Sequence, residues 1–297
     1  MTMTRKGFTL IELLVVIVII GLLSGIGIAS FGGNTDKALV SRGLNLEREI
    51  HQLSGIDTKA RWLMESGSGT SVSDVSGHEN TATLVGNTTW DTTDTPSDNN
   101  SSNSASLVFD GSGDYLEIPD SGNLRVTQNV TISAWIKPEI CVYPGNSYAG
   151  IVAKGNNPRS YSLYTYQPSG NDCRLHFSVS KQGQATPFFG SVSSATGPFI
   201  KLNQWNHVAV VAKTGPSGGS HTYFINGVKA GEQTWSDFTS LAGSDDTQTT
   251  LIGTTHEGIV RSFKGKITRV SIYGEAFSSS QINRLLYAAK VSDDNQY

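Results

Sequence analysis

The 24 residues from Phe8 to Phe31, FTLIELLVVIVIIGLLSGIGIASF, carry one charge between them, Glu12. As a helix the run reaches about 36 Å at ~1.5 Å per residue, enough to cross a hydrocarbon layer of ~30 Å. A secretory signal has a shorter apolar stretch and a small-residue cleavage site behind it. No second run of this kind occurs in the chain, so a membrane is crossed at most once. Arg5 and Lys6 precede the run, while Asp36 and Lys37 follow it. The positive-inside rule therefore keeps the short N-terminus in the cytoplasm and exports the rest. Gly21, Gly25, Gly27, Gly32 and Gly33 loosen the second half of the run. Beyond Asn34 the periodicity predicts that the helix resumes, with Leu39, Leu46, Ile50 and Leu53 near one face. It is expected to stop at Ser54-Gly55.

Composition narrows what is exported. Twenty-two basic residues against 25 acidic ones give a net charge of −3, and charged residues are 16% of the chain. A nucleic-acid binder would carry a basic stripe, so nucleic acid is not an expected partner. The chain has 32 glycines, where a usual ~7% would give about 21. Many tight turns between short strands follow. Two cysteines exclude a disulfide-dense scaffold and a zinc site of four thiolates.

The residues opening the apolar run, RKGFTLIE, closely resemble the precursor signature of type IV pilins and pseudopilins: a basic leader ending in glycine, then Phe-Thr-Leu-Ile-Glu. The resemblance implies that prepilin peptidase cuts between Gly7 and Phe8, that the new amino group of Phe8 is methylated, and that the helix stays as an anchor. Electrostatics supports a role for Glu12. A carboxylate in hydrocarbon costs roughly 2.5–3.5 kcal/mol, and cleavage supplies a counter-charge, the α-amino group of Phe8, one helical turn away. In a filament Glu12 could instead neutralise the amino terminus of a neighbouring subunit and set the stagger between helices.

From Asp57 the pattern turns to short strands. Expected ones are 106–111, 114–119, 130–138, 150–155, 160–167, 174–180, 206–213, 222–229, 250–255 and 266–274. HVAVVA is apolar on both faces and predicts a central strand. Asn226-Gly227 predicts a type I′ hairpin. Ser278 is expected to cap a last amphipathic helix with Ile282, Leu285, Leu286 and Ala289 inward. The segments SLVFDGSGDYLEIP, TISAWIKP, QWNHVAVV, YFINGV and FKGKITRVSIY, in that order, resemble the laminin-G-like, concanavalin A-type jelly-roll family. The expected fold class is mainly β, an antiparallel jelly-roll β-sandwich preceded by a long N-terminal hydrophobic α-helix. The expected domains are 1–7 leader, 8–55 transmembrane and assembly helix, 56–290 jelly-roll head and 291–297 tail. Within the head, residues 91–106 form a flexible loop, because DTTDTPSDNNSSNSAS has little apolar surface to bury.

No catalytic constellation stands out. A Glu-x-Asp-x-Glu strand, which would put paired carboxylates on one face, is absent. Gly215-Pro216-Ser217-Gly218-Gly219 fits a nucleophile elbow formally, but no helix follows it. The six histidines make no ligand spacing, and the chain is expected not to be an enzyme. Cys141 and Cys173 form one bridge or remain two buried thiols. Asp74, Asp110 and Asp114 lie in turns that could offer oxygen ligands to calcium, the only cofactor considered, although Asp favours turns anyway. Tyr164 and Tyr166 on one strand face, with Trp235, Phe188 and Phe189 in loops, could stack on sugar rings or fill the core.

The two resemblances together imply a type IV pilin-like filament subunit displaying a surface adhesion or recognition domain. Its partners would be prepilin peptidase, other pilin subunits with their assembly machinery, the membrane, and a surface glycan or protein. The precursor would sit in the cytoplasmic membrane with its head outside and reach the cell surface in a filament. One alternative is a pseudopilin of a type II secretion or DNA-uptake system. Another is a membrane-tethered hydrolase.

Overall fold

In the strand Val130–Pro138, Ile132, Ala134 and Ile136 enter the main apolar core, while Thr131, Ser133 and Trp135 alternate with them. That period of two is the pleat of a β-strand. Our computed structural model describes residues 56–96, 105–168, 170, 172–184, 187–190, 197–236, 239–258 and 261–288, with backbone alone at 187–190, 244–245 and 287–288. The chain divides into two units between Gly55 and Ile56. The expected helix of residues 8–55, with Gly7, Phe8 and Glu12, and the tail 291–297 lie outside the described residues. Among the described residues, no helix is long and apolar enough to cross a membrane.

The strands are, in chain order, β1 (Thr58–Trp62), β2 (Ser71–Val72), β3 (Ala82–Val85), β4 (Thr89–Asp91), β5 (Ser106–Asp110), β6 (Tyr115–Ile118), β7 (Val130–Pro138) and β8 (Tyr148–Gly155). They continue as β9 (Arg159–Tyr166), β10 (Arg174–Ser180), β11 (Pro187–Gly190), β12 (Asn206–Gly215), β13 (Gly218–Ile225), β14 (Val228–Trp235), β15 (Thr250–Ile252) and β16 (Lys264–Tyr273). The first sheet runs β14-β13-β12-β7-β16-β5-β4, with β1 also paired to β16; the second runs β11-β10-β9-β8-β15-β6-β3-β2. Their pairings are antiparallel, as in β12 with β7 and β9 with β10. Trp62, Phe109, Leu116, Tyr161, Phe177 and Phe263 fill the core of the sandwich. The molecule is the antiparallel, mainly β fold that the sequence predicts.

β12 lies inside its sheet, between β13 and β7. Val208, Val210 and Ala212 join the main core, and Ala209 and Val211 a second cluster with Phe224, Tyr273, Phe277 and Ile282. Ile282 belongs to the C-terminal helix Ser279–Ala288, which explains why this strand is apolar on both faces. The helix begins with a reciprocal cap: the Gln281 N–H donates to Ser278 Oγ at 3.4 Å, and the Ser278 N–H to Gln281 Oε1 at 2.9 Å. Asn226 and Gly227 have φ of 50° and 77°, the left-handed pair that their hairpin turn needs. Cys141 and Cys173 are joined as a disulfide with a Cα–Cα distance of 5.4 Å. It links the segment after β7, in the first sheet, to the start of β10, in the second.

The expected loose stretch 91–106 needs correction at its ends. Asp91 closes β4, and Lys266 Nζ donates at 2.6 Å to both Asp91 and Asp94. Lys137 Nζ and Trp205 Nε1 also donate to Asp94, at 2.7 and 2.8 Å. Ala105 is buried and Ser106 opens β5. Low apolar content did not leave these ends loose, because charge pairing holds them; residues 97–104 lie outside the described residues.

Candidate functional site

β9 and β10 pair with Tyr166 opposite Arg174, Tyr164 opposite His176 and Ser162 opposite Ser178. The residues between them, Tyr161, Leu163, Leu175, Phe177 and Val179, belong to the core. Alternation therefore puts Ser162, Tyr164, Tyr166, Arg174, His176 and Ser178 on the outer face of the second sheet. β8 adds Tyr148 opposite Tyr166 and Gly150 opposite Tyr164. Gly150 is required by a close approach: a Cβ there would lie 2.6 Å from the backbone of Thr254. Its bare backbone lets the segment after β15 lie across the sheet and bring Glu257 and Arg261 to the same place.

The rings form one cluster. Tyr148 stacks on Tyr166 with centroids 4.9 Å apart and 13° between planes. His176 lies 4.6 Å from Tyr148 and 5.6 Å from Tyr164. The Arg261 guanidinium stands 5.0 Å over the Tyr148 ring, and that of Arg159 5.9 Å over Tyr164. Glu257 joins the two cations, accepting from Arg159 Nη2 at 2.5 Å and from Arg261 Nε at 2.8 Å. Tyr164, His176 and Arg159 are 1–2% exposed, whereas Tyr148, Tyr166, Glu257 and Arg261 are half-buried.

Electrostatics follows from this packing. Burial, and then His221, Arg159 and Arg261, push His176 down to about 3, so the ring is neutral at ordinary pH. Burial lifts the Tyr164 phenol to about 12. Burial also opposes the charge of Glu257, but Arg159 and Arg261 outweigh it and hold the carboxyl below its ordinary range. Glu257 is therefore a fixed anion, poorly suited to general-acid work. What this face can do is stack a ring on Tyr148 and Tyr166 and offer cationic hydrogen bonds beside it.

Sequence-predicted residues fare differently. Tyr164 and Tyr166 are brought together in the cluster. Trp235 is not: it ends β14 in the first sheet, 6% exposed, with its ring 5.6 Å from His221 in the core. It is removed as a ligand candidate because it packs inside the sandwich. Phe188 and Phe189 belong to β11 rather than to a loop. Asp110 and Asp114 lie against each other, while Asp74 has partners of its own. Asp74 accepts from the N–H groups of Arg61, Ser76 and Asn80 and from the Asn80 amide. Asp110 accepts from the Ser112 N–H, and Asp114 from those of Asn87 and Asp110. Among the described residues, no group of three or more His, Cys, Asp or Glu could hold a metal. These carboxylates tie down turns.

Ser133 Oγ and His207 Nε2 lie 2.9 Å apart, buried. The pair is not a nucleophile and base, since burial drives His207 down to about 4 and no carboxylate is seen at its other nitrogen. Ser217 sits in the two-residue turn between β12 and β13 with a strand, not a helix, after it. Sequence reasoning missed Tyr148, Arg159, His176, Glu257 and Arg261. The alternation in β9 and β10 could have flagged His176; nothing local marks the Glu257–Arg261 segment as covering β8.

Residues 110–283 match the Concanavalin A-like lectin/glucanases superfamily. That match covers more than half of the chain, which belongs to this superfamily. Residues 2–28 match the prokaryotic N-terminal methylation motif, so a methylation segment and a laminin-G-like domain are joined in one polypeptide. Similar solved structures include domain 4 of AbnA, a GH43 extracellular arabinanase from Geobacillus stearothermophilus, in complex with arabinotriose. It is 18% identical with a TM-score of 0.54 over 78% of this chain and 98% of that one. The binding domain of Paraclostridial Mosquitocidal Protein 1 is 14% identical, TM-score 0.56, over 78% of this chain and 52% of that one. The binding domain of botulinum neurotoxin DC, in complex with rat synaptotagmin II, is 14% identical, TM-score 0.54, over 79% and 52%. The chain thus spans about half the length of these toxin binding domains. At such identities the likeness is one of fold. No curated protein matches the sequence.

Proposed function

We propose that this chain is a type IV pilin-like filament subunit whose laminin-G-like head recognises a glycan at the cell surface without catalysis. The carrying observation is the union in one chain of a methylation motif at residues 2–28 with a lectin-superfamily domain at 110–283. In this reading prepilin peptidase removes residues 1–7, and Phe8–Gly55 is stored in the membrane and packs with other subunits. Residues 56–290 form the exported head. The outer face of the second sheet is the binding surface: half-buried Tyr166, stacked on Tyr148, offers an aromatic ring of the kind pyranose C–H groups prefer. The arabinanase domain, seen with arabinotriose, supports a sugar as ligand class, and the toxin domains support a binding rather than a catalytic role. A retaining or inverting glycosidase needs two carboxyl groups roughly 5–9.5 Å apart, whereas the cluster's described carboxylates are tied up, Glu257 by two guanidiniums and Asp172 by Arg174.

The test has two readouts. Intact-mass analysis of protein from native membranes or fibres should give a chain starting at methylated Phe8; an uncut Met1 would refute the filament assignment. A glycan array should show binding without reducing-end release, and turnover would instead establish a tethered hydrolase.

A further inference from the structure

We infer that the outer face of the second sheet selects a carboxylate-bearing saccharide, such as a hexuronate, through the open fork of Arg261 beside the Tyr148–Tyr166 stack. This rests on the glycan-binding reading above and narrows its ligand class. The first support is the charge balance. Arg159 and Arg261 share the single carboxylate of Glu257, both of whose oxygens are engaged. Arg174, across the ladder from Tyr166, is balanced by Asp172 at 3.0 Å. Three guanidiniums thus stand on this face of a chain whose net charge is −3.

The second support is geometric. Arg261 gives Nε to Glu257 and lays its plane over Tyr148, so its orientation is set. Its Nη1 and Nη2 donate to no described residue, and the side chain is 23% exposed. A guanidinium offers two parallel N–H donors along that edge, which match the two oxygens of a carboxylate. A sugar ring on the neighbouring tyrosines would carry its carboxylate to that edge.

The experiment uses the full chain in detergent at ~150 mM salt, where remote charges are screened. Its probes are an oligogalacturonate, the methyl ester of the same oligosaccharide, and polyglutamate. The acid should bind about tenfold more tightly than the ester, as expected for one bidentate charged contact worth ~1.4 kcal/mol. Arg261→Gln should bring affinity for the acid down to that for the ester, abolishing the ratio, and Arg261→Lys should keep part of it. Unchanged near-UV circular dichroism checks that the variants are folded. Equal binding of acid and ester would overturn the charge selectivity and leave the glycan reading standing. Polyglutamate binding as tightly as the oligogalacturonate would overturn it too, by showing a site for any polyanion. No binding of any saccharide on a broad array would remove the glycan reading and this inference with it.

Discussion

His207 and His176 are neutral because the protein gives them no water, and this ties stability to pH. An unfolded histidine titrates near ~6.5, while burial takes His207 down to about 4 and His176, helped by His221 and two arginines, to about 3. Between these values the unfolded chain holds more protons than the native one, so stability rises with pH across that window. The benefit is complete above pH ~6.5 and disappears as pH falls to the native values. Its size for His207 is about 3 kcal/mol. Denaturant melts at pH 7, 6, 5 and 4 should show stability falling with a slope near two protons. His207→Gln, which keeps a polar partner for Ser133, should remove about one of them; an unchanged slope would show that this ring titrates normally. A second set of groups acts at lower pH. Arg125 first, then Lys154, holds Asp120 at about 2 although burial opposes it, so that contribution is lost only as pH drops from ~4 toward 2.

Among the elements, the disulfide joins two chain segments whose strands lie in different sheets. Cys141 and Cys173 are 32 residues apart, and closing such a loop is worth ~3–4 kcal/mol in the chain-entropy picture. The double change Cys141→Ser/Cys173→Ser should lower Tm by about 10 °C, given 2–4 °C per kcal/mol in a domain of this size. Calorimetry of oxidised and reduced protein checks the same value, and a shift under 2 °C would mean that packing alone positions those ends. The elements also show how far local pattern reaches. Val130–Pro138 and Arg174–Ser180 lie where alternation puts them. The short strands β2, β3 and β4 and the edge strand β11 escaped notice because two to four residues carry too little periodicity. So did β1 and most of β14, where the expected strand 222–229 is instead the end of β13, the turn and the start of β14. Asp91 and Asp94 teach the converse. Their polar stretch looked loose, yet Lys137 in β7, Lys266 in β16 and Trp205 just before β12 fasten it, and burial is outweighed by hydrogen-bond donors in keeping both carboxyls acidic.

For the whole molecule, the proposed assembly depends on a single acid. In the proposed assembly Glu12 lies in hydrocarbon and would need the amino group that cleavage frees on Phe8, because a lone carboxylate there costs roughly 2.5–3.5 kcal/mol. Glu12→Ala should leave the head folded, with unchanged near-UV circular dichroism, while lowering the amount of protein recovered in sheared fibres severalfold. Equal recovery would show that this acid does not govern assembly. The linear chain already determined the methylation segment, the mainly β class, most of the strands of five or more residues and the Asn226-Gly227 turn, since each is written in neighbours a few positions apart. It could not place Arg261 and Glu257 over Tyr148, remove Trp235 to the core, or spend Asp74 and Asp114 on backbone N–H groups. Those outcomes turn on strand register and on which layer covers which. Such relations join residues more than 100 positions apart, as Arg261 and Tyr148 are, and only the closed sandwich brings them into contact.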